Sequence, residues 1–296
     1  MDQEQPAFPE WLKRSFSPDG TRRSVQALIN ELGLSTVCES ALCPNLLDCW
    51  SLRQLTFMVL GDRCTRRCGF CAVSTGRPAP ADATEPSRVA EAVKRLSLRH
   101  VVITSVARDD LRDEGAGHVA AVIEAVREAN PGVTVEALVP DFHARRELLD
   151  QLLGWGRPEV FAHNIETIER LSPRVRPQAS YHRSLAVLAM AASHPTQPII
   201  KAGIMLGLGE TEPELVRTLI ELRAAGATHL TIGQYLRPTL KHLPVAEYVN
   251  PAQFQRYERL AYEHGMSWVR SGPFVRSSYR AIDALEPARV GTQETQ

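Results

Sequence analysis

The sequence predicts an α/β fold, in which an incomplete barrel is built from six units of one β-strand and one α-helix. Apolar runs rich in β-branched residues alternate with amphipathic stretches, which is the pattern of βα units around a parallel sheet. Six units are too few for a closed TIM barrel, which needs eight. The sequence therefore favours a partial (β/α)6 TIM-like barrel, and a doubly wound open sheet is the main alternative.

The six units follow one another from residue 55 onward. Strands are predicted at 55–60, 100–106, 133–139, 159–162, 199–206 and 228–233. Helices are predicted at 87–98, 117–130, 144–153, 181–192, 212–225 and 251–263. Stop signals support these bounds, since Asn130, Pro131 and Gly132 end the second helix and Gly226 ends the fifth. In either architecture, we expect the chemistry at the carboxyl ends of the strands.

The composition limits the partners that the chain can have. Its 296 residues include 34 Lys plus Arg and 34 Asp plus Glu, so the balanced charge gives no reason to expect nucleic acid or an anionic membrane. No apolar run reaches the roughly 18 residues that would span a bilayer. The polar start, residues 1–13, does not resemble a signal peptide. We therefore expect a cytoplasmic protein, in which thiols stay reduced.

All six cysteines lie close together and form two triplets. The spacings are C-x4-C-x5-C for Cys38, Cys43 and Cys49, and C-x3-C-x2-C for Cys64, Cys68 and Cys71. Structural zinc is closed by four ligands, whereas a 4Fe-4S cluster takes one thiolate per iron, so three cysteines leave one iron open. A zinc knot, or zinc sites completed by distant His residues, is the alternative. The second triplet directly follows the first predicted strand, which argues for a cluster.

The second triplet has an aromatic residue, Phe70, next to its last cysteine, and in this position it resembles the signature of the radical S-adenosylmethionine superfamily. The resemblance implies a 4Fe-4S cluster held by Cys64, Cys68 and Cys71, whose open iron is chelated by S-adenosylmethionine. It also implies that the reduced cluster cleaves this cofactor, and that the 5'-deoxyadenosyl radical abstracts hydrogen from unactivated carbon.

Further segments closely resemble the lipoyl synthase family of that superfamily, over roughly residues 24–281. They are VCESALCPNLLDCW at 37–50, TFMVLGD at 56–62, VITSV at 102–106, RDDL at 108–111, HNIET at 163–167, GIMLGLGET at 203–211, IGQYLRPT at 232–239 and RSSY at 276–279. The resemblance implies a sulfurtransferase that inserts two sulfur atoms, at carbons 6 and 8, into a protein-bound octanoyl-lysine. Biotin synthases and methylthiotransferases are alternative sulfur-inserting enzymes, but the first triplet and the RSSY tail argue against both. A non-catalytic iron-sulfur or zinc protein is a further alternative.

The resemblance also implies a second, auxiliary 4Fe-4S cluster, held by Cys38, Cys43, Cys49 and Ser278. Taken alone, Ser278 would be a turn or surface residue. A hard alkoxide is a poor ligand for iron compared with thiolate, which suits a cluster that is taken apart to donate sulfur. The expected division is an extension for this cluster (1–52), the barrel (53–271) and a tail that folds back over the barrel mouth (272–296).

Six residues are candidate contacts for S-adenosylmethionine because of their positions at the strand ends. They are Phe70, Ser105, Asn164, Glu166, Arg176 and Gly207. Four of them have a simpler interpretation as well: Gly207 could form a tight strand-to-helix turn, Asn164 and Glu166 could belong to a helix cap, and Arg176 could lie on the surface. Phe70 and Ser105 rest on position alone.

The family resemblance implies several partners. The substrates are octanoylated lipoyl-bearing proteins, namely the lipoyl domains of 2-oxoacid dehydrogenases and the glycine cleavage H protein. A low-potential electron donor such as ferredoxin or flavodoxin, and an iron-sulfur carrier that rebuilds the auxiliary cluster, are expected as well.

Overall fold

The computed structural model describes residues 6–13 and 20–285 of the chain. Its strands are β1 (Thr56–Val59), β2 (Arg63–Cys64), β3 (Ser74–Thr75), β4 (His100–Ser105), β5 (Thr134–Leu138), β6 (Val160–Ala162), β7 (Ile199–Leu206), β8 (His229–Gln234) and β9 (Trp268–Gly272). One sheet has the strand order β1-β4-β5-β6-β7-β8-β9, and β2 pairs with β3 in a separate small sheet. Every pairing is parallel.

Helices accompany these strands along the chain. They are α1 (Gly20–Glu31), α2 (Val37–Ser40), α3 (Leu46–Ser51), α4 (Glu85–Leu96), α5 (Ala116–Ala129), α6 (Arg146–Gln151), α7 (Ser172–Val175), α8 (Tyr181–Ala192), α9 (Glu212–Ala224) and α10 (Pro251–Glu263). The strands read as nearly continuous apolar runs because both of their faces are buried, as is usual in parallel sheets. In the described part of the chain, no helix is long and apolar enough to cross a membrane.

The predicted partial barrel is confirmed, and the structure adds a seventh strand to it. All six predicted strands are present, whereas β9 was not predicted. Only its first two residues, Trp268 and Val269, are buried, and the polar residues that follow give it no apolar pattern. Its place is set by pairing with β8, a long-range contact.

The helix predicted at 144–153 is only partly correct. The α-helix begins at Arg146 and ends at Gln151, and a π-helical turn continues over Leu152–Gly156. Before it, Phe142, His143 and Ala144 all have positive φ, which prevents an earlier helix start.

The N-terminal segment and the tail meet at one end of the barrel. An antiparallel bridge joins Thr36 to Phe57 of β1, and Met58 N donates to Ser35 O at 2.9 Å. Asn45 lies between Cys43 and Cys49 in the sequence, and its side chain donates a hydrogen bond to Phe274 O of the tail at 2.6 Å. The cysteine-rich extension is thus held against both the first strand and the tail.

Candidate active site

All six cysteines line a single cavity of about 730 Å³, which extends from the carboxyl ends of the barrel strands to residues 97–100 at the amino end of β4. The tail residues 275–279, which include Ser278, line the same cavity. None of the six cysteines forms a disulfide. The structure therefore brings together two triplets and the serine that lies more than two hundred residues away in the sequence.

The loop that carries the second triplet, residues 61–76, is held on several sides. We call it the cysteine loop. Cys64 lies on β2, and its Sγ accepts hydrogen bonds from the backbone N–H of Arg66 at 3.4 Å and of Ala107 at 3.3 Å. Further along, Gly69 N donates to Val175 O at 2.9 Å. Hydrogen bonds of this kind fix the conformation of the cysteine loop.

Arg66, inside the cysteine loop, ties the loop to two neighbouring strand ends. Its guanidinium makes hydrogen bonds to Asp109, at 2.7 to 3.1 Å, and donates to Asp141 Oδ1 at 2.7 Å. Asp141 also accepts from Arg183 Nε at 2.7 Å. Burial raises the pKa of the Asp141 carboxyl, but the charge and hydrogen bonds of Arg66 outweigh it, so the pKa lies below its ordinary value. The loop is therefore preorganised by a buried ionic network.

The first triplet is carried by two short helices. Cys38 lies on α2, whose first turn is capped by Thr36, and Cys49 lies on α3. Between them, Cys43 N donates to Cys38 O at 3.0 Å. The local hydrogen bonds therefore bring these cysteines together at one side of the cavity.

Burial raises the pKa of three cysteine thiols. The values are about 11 for Cys38, about 11 for Cys71 and about 12 for Cys68, and charge on neighbouring cysteines of the same triplet adds to the effect. These thiols are protonated at neutral pH unless cations replace the protons. Binding of iron at the site must therefore release protons.

In neither triplet do all three sulfur atoms lie within 4.8 Å of one another. Among the described residues, one group of three potential metal ligands lies within 4.8 Å of one another, and it contains no cysteine: Asp109, Glu114 and His143. Tetrahedral zinc, with Zn–S bonds of about 2.3 Å, would bring its sulfur ligands to about 3.8 Å apart. A 4Fe-4S cluster attaches each thiolate to a different iron and so needs a wider arrangement.

Polar atoms that line the cavity are buried and lack a hydrogen-bond partner within the described residues. They are Ser105 Oγ, Asn164 Oδ1, and Nε and Nη2 of Arg176. Such atoms are costly unless a ligand or solvent satisfies them. A ligand with a carboxylate, an ammonium group and hydroxyls, such as S-adenosylmethionine, would supply the missing partners.

Arg176 is fixed in place by its remaining nitrogen. Its Nη1 donates to Asn164 O and to Ser184 Oγ, each at 3.1 Å. Ser184 in turn contacts Nε2 of His163 at 2.9 Å, and burial lowers the pKa of His163 to about 4, so the ring is neutral. The free edge of the guanidinium therefore has a defined direction.

Glu166 lies close enough to Arg176 to interact with its charge, and Phe70 lines the same cavity. Glu166 has φ of 65° and accepts from Asn164 Nδ2 at 3.0 Å. Burial raises the pKa of Glu166, against the charge of Arg176. Both Glu166 and Phe70 line the cavity. Five of the six candidate cofactor contacts are thus together.

Gly207 is the exception, because it does not line the cavity. It has φ of 99°, and a Cβ there would lie 2.2 Å from Gln234 Nε2 and 2.4 Å from Glu247 O. These contacts with the protein itself agree with the simpler interpretation of Gly207, a tight turn between a strand and a helix. A positive φ and packing against Gln234 explain why glycine stands at this position.

The tail packs directly on the barrel through Gly233 of β8. A Cβ at this position would lie 2.1 Å from Val275 O, which is a backbone atom. Downstream, Tyr279 N donates to Arg276 O at 2.9 Å and closes a turn around Ser277 and Ser278. The place of Ser278 thus depends on the absence of a side chain at Gly233.

Replacing Gly233 by Ala should displace the tail. We expect the free energy of unfolding to fall by about 1–3 kcal/mol, as is typical of overpacking. Any chemistry that needs Ser278 should slow, while chemistry that needs only the cysteine loop should persist. The matched control is Gly154→Ala, because a Cβ at Gly154 meets nothing within 4 Å. Denaturant unfolding measures the change in stability, and product analysis measures the chemistry that needs Ser278. If that chemistry were equally fast in the two variants, the packing of the tail on Gly233 would not determine the position of Ser278.

Comparison with known proteins identifies similar sequences and folds. Residues 58–222 match the model of the radical SAM superfamily. The lipoyl synthase of Rubrobacter xylanophilus is 53% identical over 284 residues, covering 96% of this chain and 88% of that protein. The lipoyl synthase of Thermus thermophilus is 52% identical over 276 residues, covering 92% and 85%.

Solved structures share the fold at low sequence identity. Methylornithine synthase aligns with a TM-score of 0.57 at 13% identity, covering 86% of this chain and 72% of that chain. Streptococcus suis SuiB bound to S-adenosylmethionine aligns with a TM-score of 0.55 at 9% identity, covering 74% of this chain and half of that chain. These two likenesses concern the fold alone.

Proposed function

Since this chain belongs to the lipoyl synthase family of the radical SAM superfamily, we propose that its two cysteine triplets hold two 4Fe-4S clusters with separate tasks. The chain is a radical SAM sulfurtransferase, which inserts two sulfur atoms into a protein-bound octanoyl chain to give the lipoyl group. The observation that carries the proposal is that both triplets and Ser278 line one cavity.

The first task belongs to Cys64, Cys68 and Cys71. These three residues would hold a cluster, which would supply the electron for cleavage of S-adenosylmethionine and so for hydrogen abstraction from an unactivated carbon. Other residues of the chain position the cysteines and the cofactor for this reaction. Arg66 fixes the loop, and the cavity wall supplies the polar partners for the cofactor.

We assign the cofactor contacts to five side chains that line the cavity, three of which carry unpartnered polar atoms. The free edge of Arg176 binds the carboxylate of S-adenosylmethionine, as a guanidinium suits a carboxylate. Asn164 and Glu166 face its ammonium group, and Ser105 is an additional hydrogen-bond partner. Phe70 covers the adenine side of the site.

Replacing Arg176 by Gln should weaken S-adenosylmethionine binding. Hydrogen bonds to charged groups contribute about 1.5–3 kcal/mol, so the expected loss of affinity is about 10- to 100-fold. Iron content should not change, because Arg176 is no cluster ligand in this assignment. The control is Arg174→Gln, an exposed neighbour. Titration with S-adenosylmethionine measures the affinity, and equal affinity in both variants would remove Arg176 from the cofactor site.

The second task belongs to Cys38, Cys43, Cys49 and Ser278. A cluster held by these residues would supply the sulfur that is inserted at carbons 6 and 8 of the octanoyl chain. Ser278 would hold iron more weakly than the three thiolates do, which suits a cluster that gives up its sulfur. Since the cluster is consumed, an isolated enzyme makes at most about one lipoyl group per chain.

We assign residues 1–52 to the auxiliary-cluster extension, 53–271 to the barrel and 272–296 to the tail. Of these, residues 1–5, 14–19 and 286–296 lie outside the described part of the chain. We also propose a cytoplasmic location. The partners are 2-oxoacid dehydrogenase lipoyl domains and glycine cleavage H protein in their octanoylated forms, ferredoxin or flavodoxin as electron donor, and an iron-sulfur carrier for repair.

Anaerobic incubation of reconstituted protein with S-adenosylmethionine, a reductant and an octanoyl-lysine peptide tests the proposal. Mass spectrometry should find the peptide with two added sulfur atoms and about two 5'-deoxyadenosines per product, since each unactivated C–H bond needs its own radical. Cofactor cleavage without any sulfur-containing product would contradict the proposed division of tasks. A protein that neither cleaves the cofactor nor alters the peptide would be a non-catalytic scaffold.

A further inference from the structure

Four exposed cationic side chains adjoin the cysteine loop. They are Arg63, Arg67, Arg174 and Lys241, which we call the basic rim. Their side chains make no ion pair or hydrogen bond to any residue of 6–13 or 20–285. Elsewhere on the surface several arginines are paired, for example Arg95 with Glu31. The basic rim is thus a local concentration of unpaired positive charge on a chain whose net charge is zero.

Backbone contacts place all four around the cysteine loop. Arg63 and Arg67 belong to the loop. Arg174 adjoins it because Gly69 N donates to Val175 O at 2.9 Å, and Arg174 O lies 3.5 Å from the Cβ position of Gly69. Lys241 adjoins it because Leu243 N donates to Gly69 O at 3.0 Å. The basic rim therefore lies beside the cysteines that line the cavity.

Nearby acids do not neutralise this charge. Asp109 is bound by Arg66, and Asp110 by Arg108 at 2.8 Å. Asp62 is the remaining exposed acid of the cysteine loop. Cations therefore exceed acids at the rim, and the field beside the cavity is positive.

Exposed apolar side chains accompany the basic rim. Leu240, the neighbour of Lys241, is 85% exposed, and Leu42, which lines the cavity, is 61% exposed. A single exposed leucine is ordinary. Leu42 at the cavity and Leu240 next to a rim cation, together with unpaired cations, give the composition of a protein-docking surface, in which apolar contacts are surrounded by charge.

On the basis of the proposed function, we propose that the basic rim docks an acidic surface of the octanoylated protein around its modified lysine. In the proposed function the octanoyl chain is carried by a protein, so that protein must contact the residues around the entrance of the cavity. Complementary charge would orient the encounter and raise the association rate. The basic rim would thus recognise the partner protein, while the cavity recognises the octanoyl chain.

Charge reversal at the rim tests the proposal. In Arg174→Glu/Lys241→Glu, we expect the Kd for an octanoylated lipoyl domain to rise about 10-fold or more, since like charges then face each other. Binding to the unaltered enzyme should weaken as salt is added, and that dependence should decrease in the variant. Single-turnover sulfur insertion into a short neutral octanoyl-lysine peptide should be unchanged.

The matched control is Lys94→Glu, a reversal on α4 just before the amino end of β4 and hence at the opposite end of the barrel. It should bind the octanoylated domain as the unaltered enzyme does. An unchanged Kd in the rim variant, or an equal loss with the peptide, would overturn the docking proposal while leaving the enzymatic function intact. If the unaltered enzyme converted neither substrate, both proposals would be contradicted.

Discussion

Replacing Cys64, Cys68 and Cys71 together by Ala should abolish cleavage of S-adenosylmethionine. Reconstituted protein should hold about eight iron atoms per chain, four for each cluster, and the variant about four. No 5'-deoxyadenosine should form above background, because no other cysteine can supply an open iron next to the buried polar groups. Iron and sulfide analysis, together with chromatography of the nucleoside, makes the measurement.

The reciprocal variant is the control. With Cys38, Cys43 and Cys49 changed to Ala, iron should also fall to about four, yet cofactor cleavage should continue and sulfur insertion should stop. If either triple variant lost all of its iron, two separate sites would be untenable. Far-ultraviolet circular dichroism of both variants checks that the barrel is intact.

Changing Ser278 to Ala should stop sulfur insertion while radical formation continues. The loss should exceed about 100-fold, since even changes to the partners of metal ligands typically cost 10- to 100-fold. Ser277→Ala is the matched control, because Ser277 precedes it and lines the same cavity. Lipoyl product and 5'-deoxyadenosine are measured together.

Ser278→Cys should also impair insertion, for the opposite reason. A thiolate is a softer ligand and holds iron more firmly, so the cluster resists being taken apart. A serine that only forms a turn predicts near-normal product from both changes. Normal product from Ser278→Ala would remove Ser278 from the site.

The candidate cluster ligands could be proposed from the sequence because their signal is local. The spacing within each triplet is short, and the position of Cys64 after the first strand is visible in the order of elements. The barrel was predictable for a similar reason, since strands such as β7 are long and apolar and were found at the predicted bounds. Only the family resemblance pointed to Ser278, because one serine in a tail has no pattern of its own.

Contacts between distant segments could not be predicted. Nothing in the sequence around Arg66 indicates that it binds Asp141, which lies 75 residues later. Likewise, the packing of Val275 on Gly233 is set only when the tail folds back. Gly207 shows the reverse case: its position at a strand end suggested a cofactor contact, but the side chain of Gln234 packs against it. Tertiary contacts of this kind leave no periodic trace in the sequence.

The central claim is that one cavity holds two cluster sites and that the auxiliary site gives up the sulfur. Reconstitution of the protein with sulfide of a heavy sulfur isotope, followed by a single turnover in unlabelled buffer, tests it most directly. Mass spectrometry of the lipoyl product should find both sulfur atoms labelled, and Ser278→Ala should give no such product. A product with unlabelled sulfur would contradict the claim, because the sulfur would then come from outside the cavity.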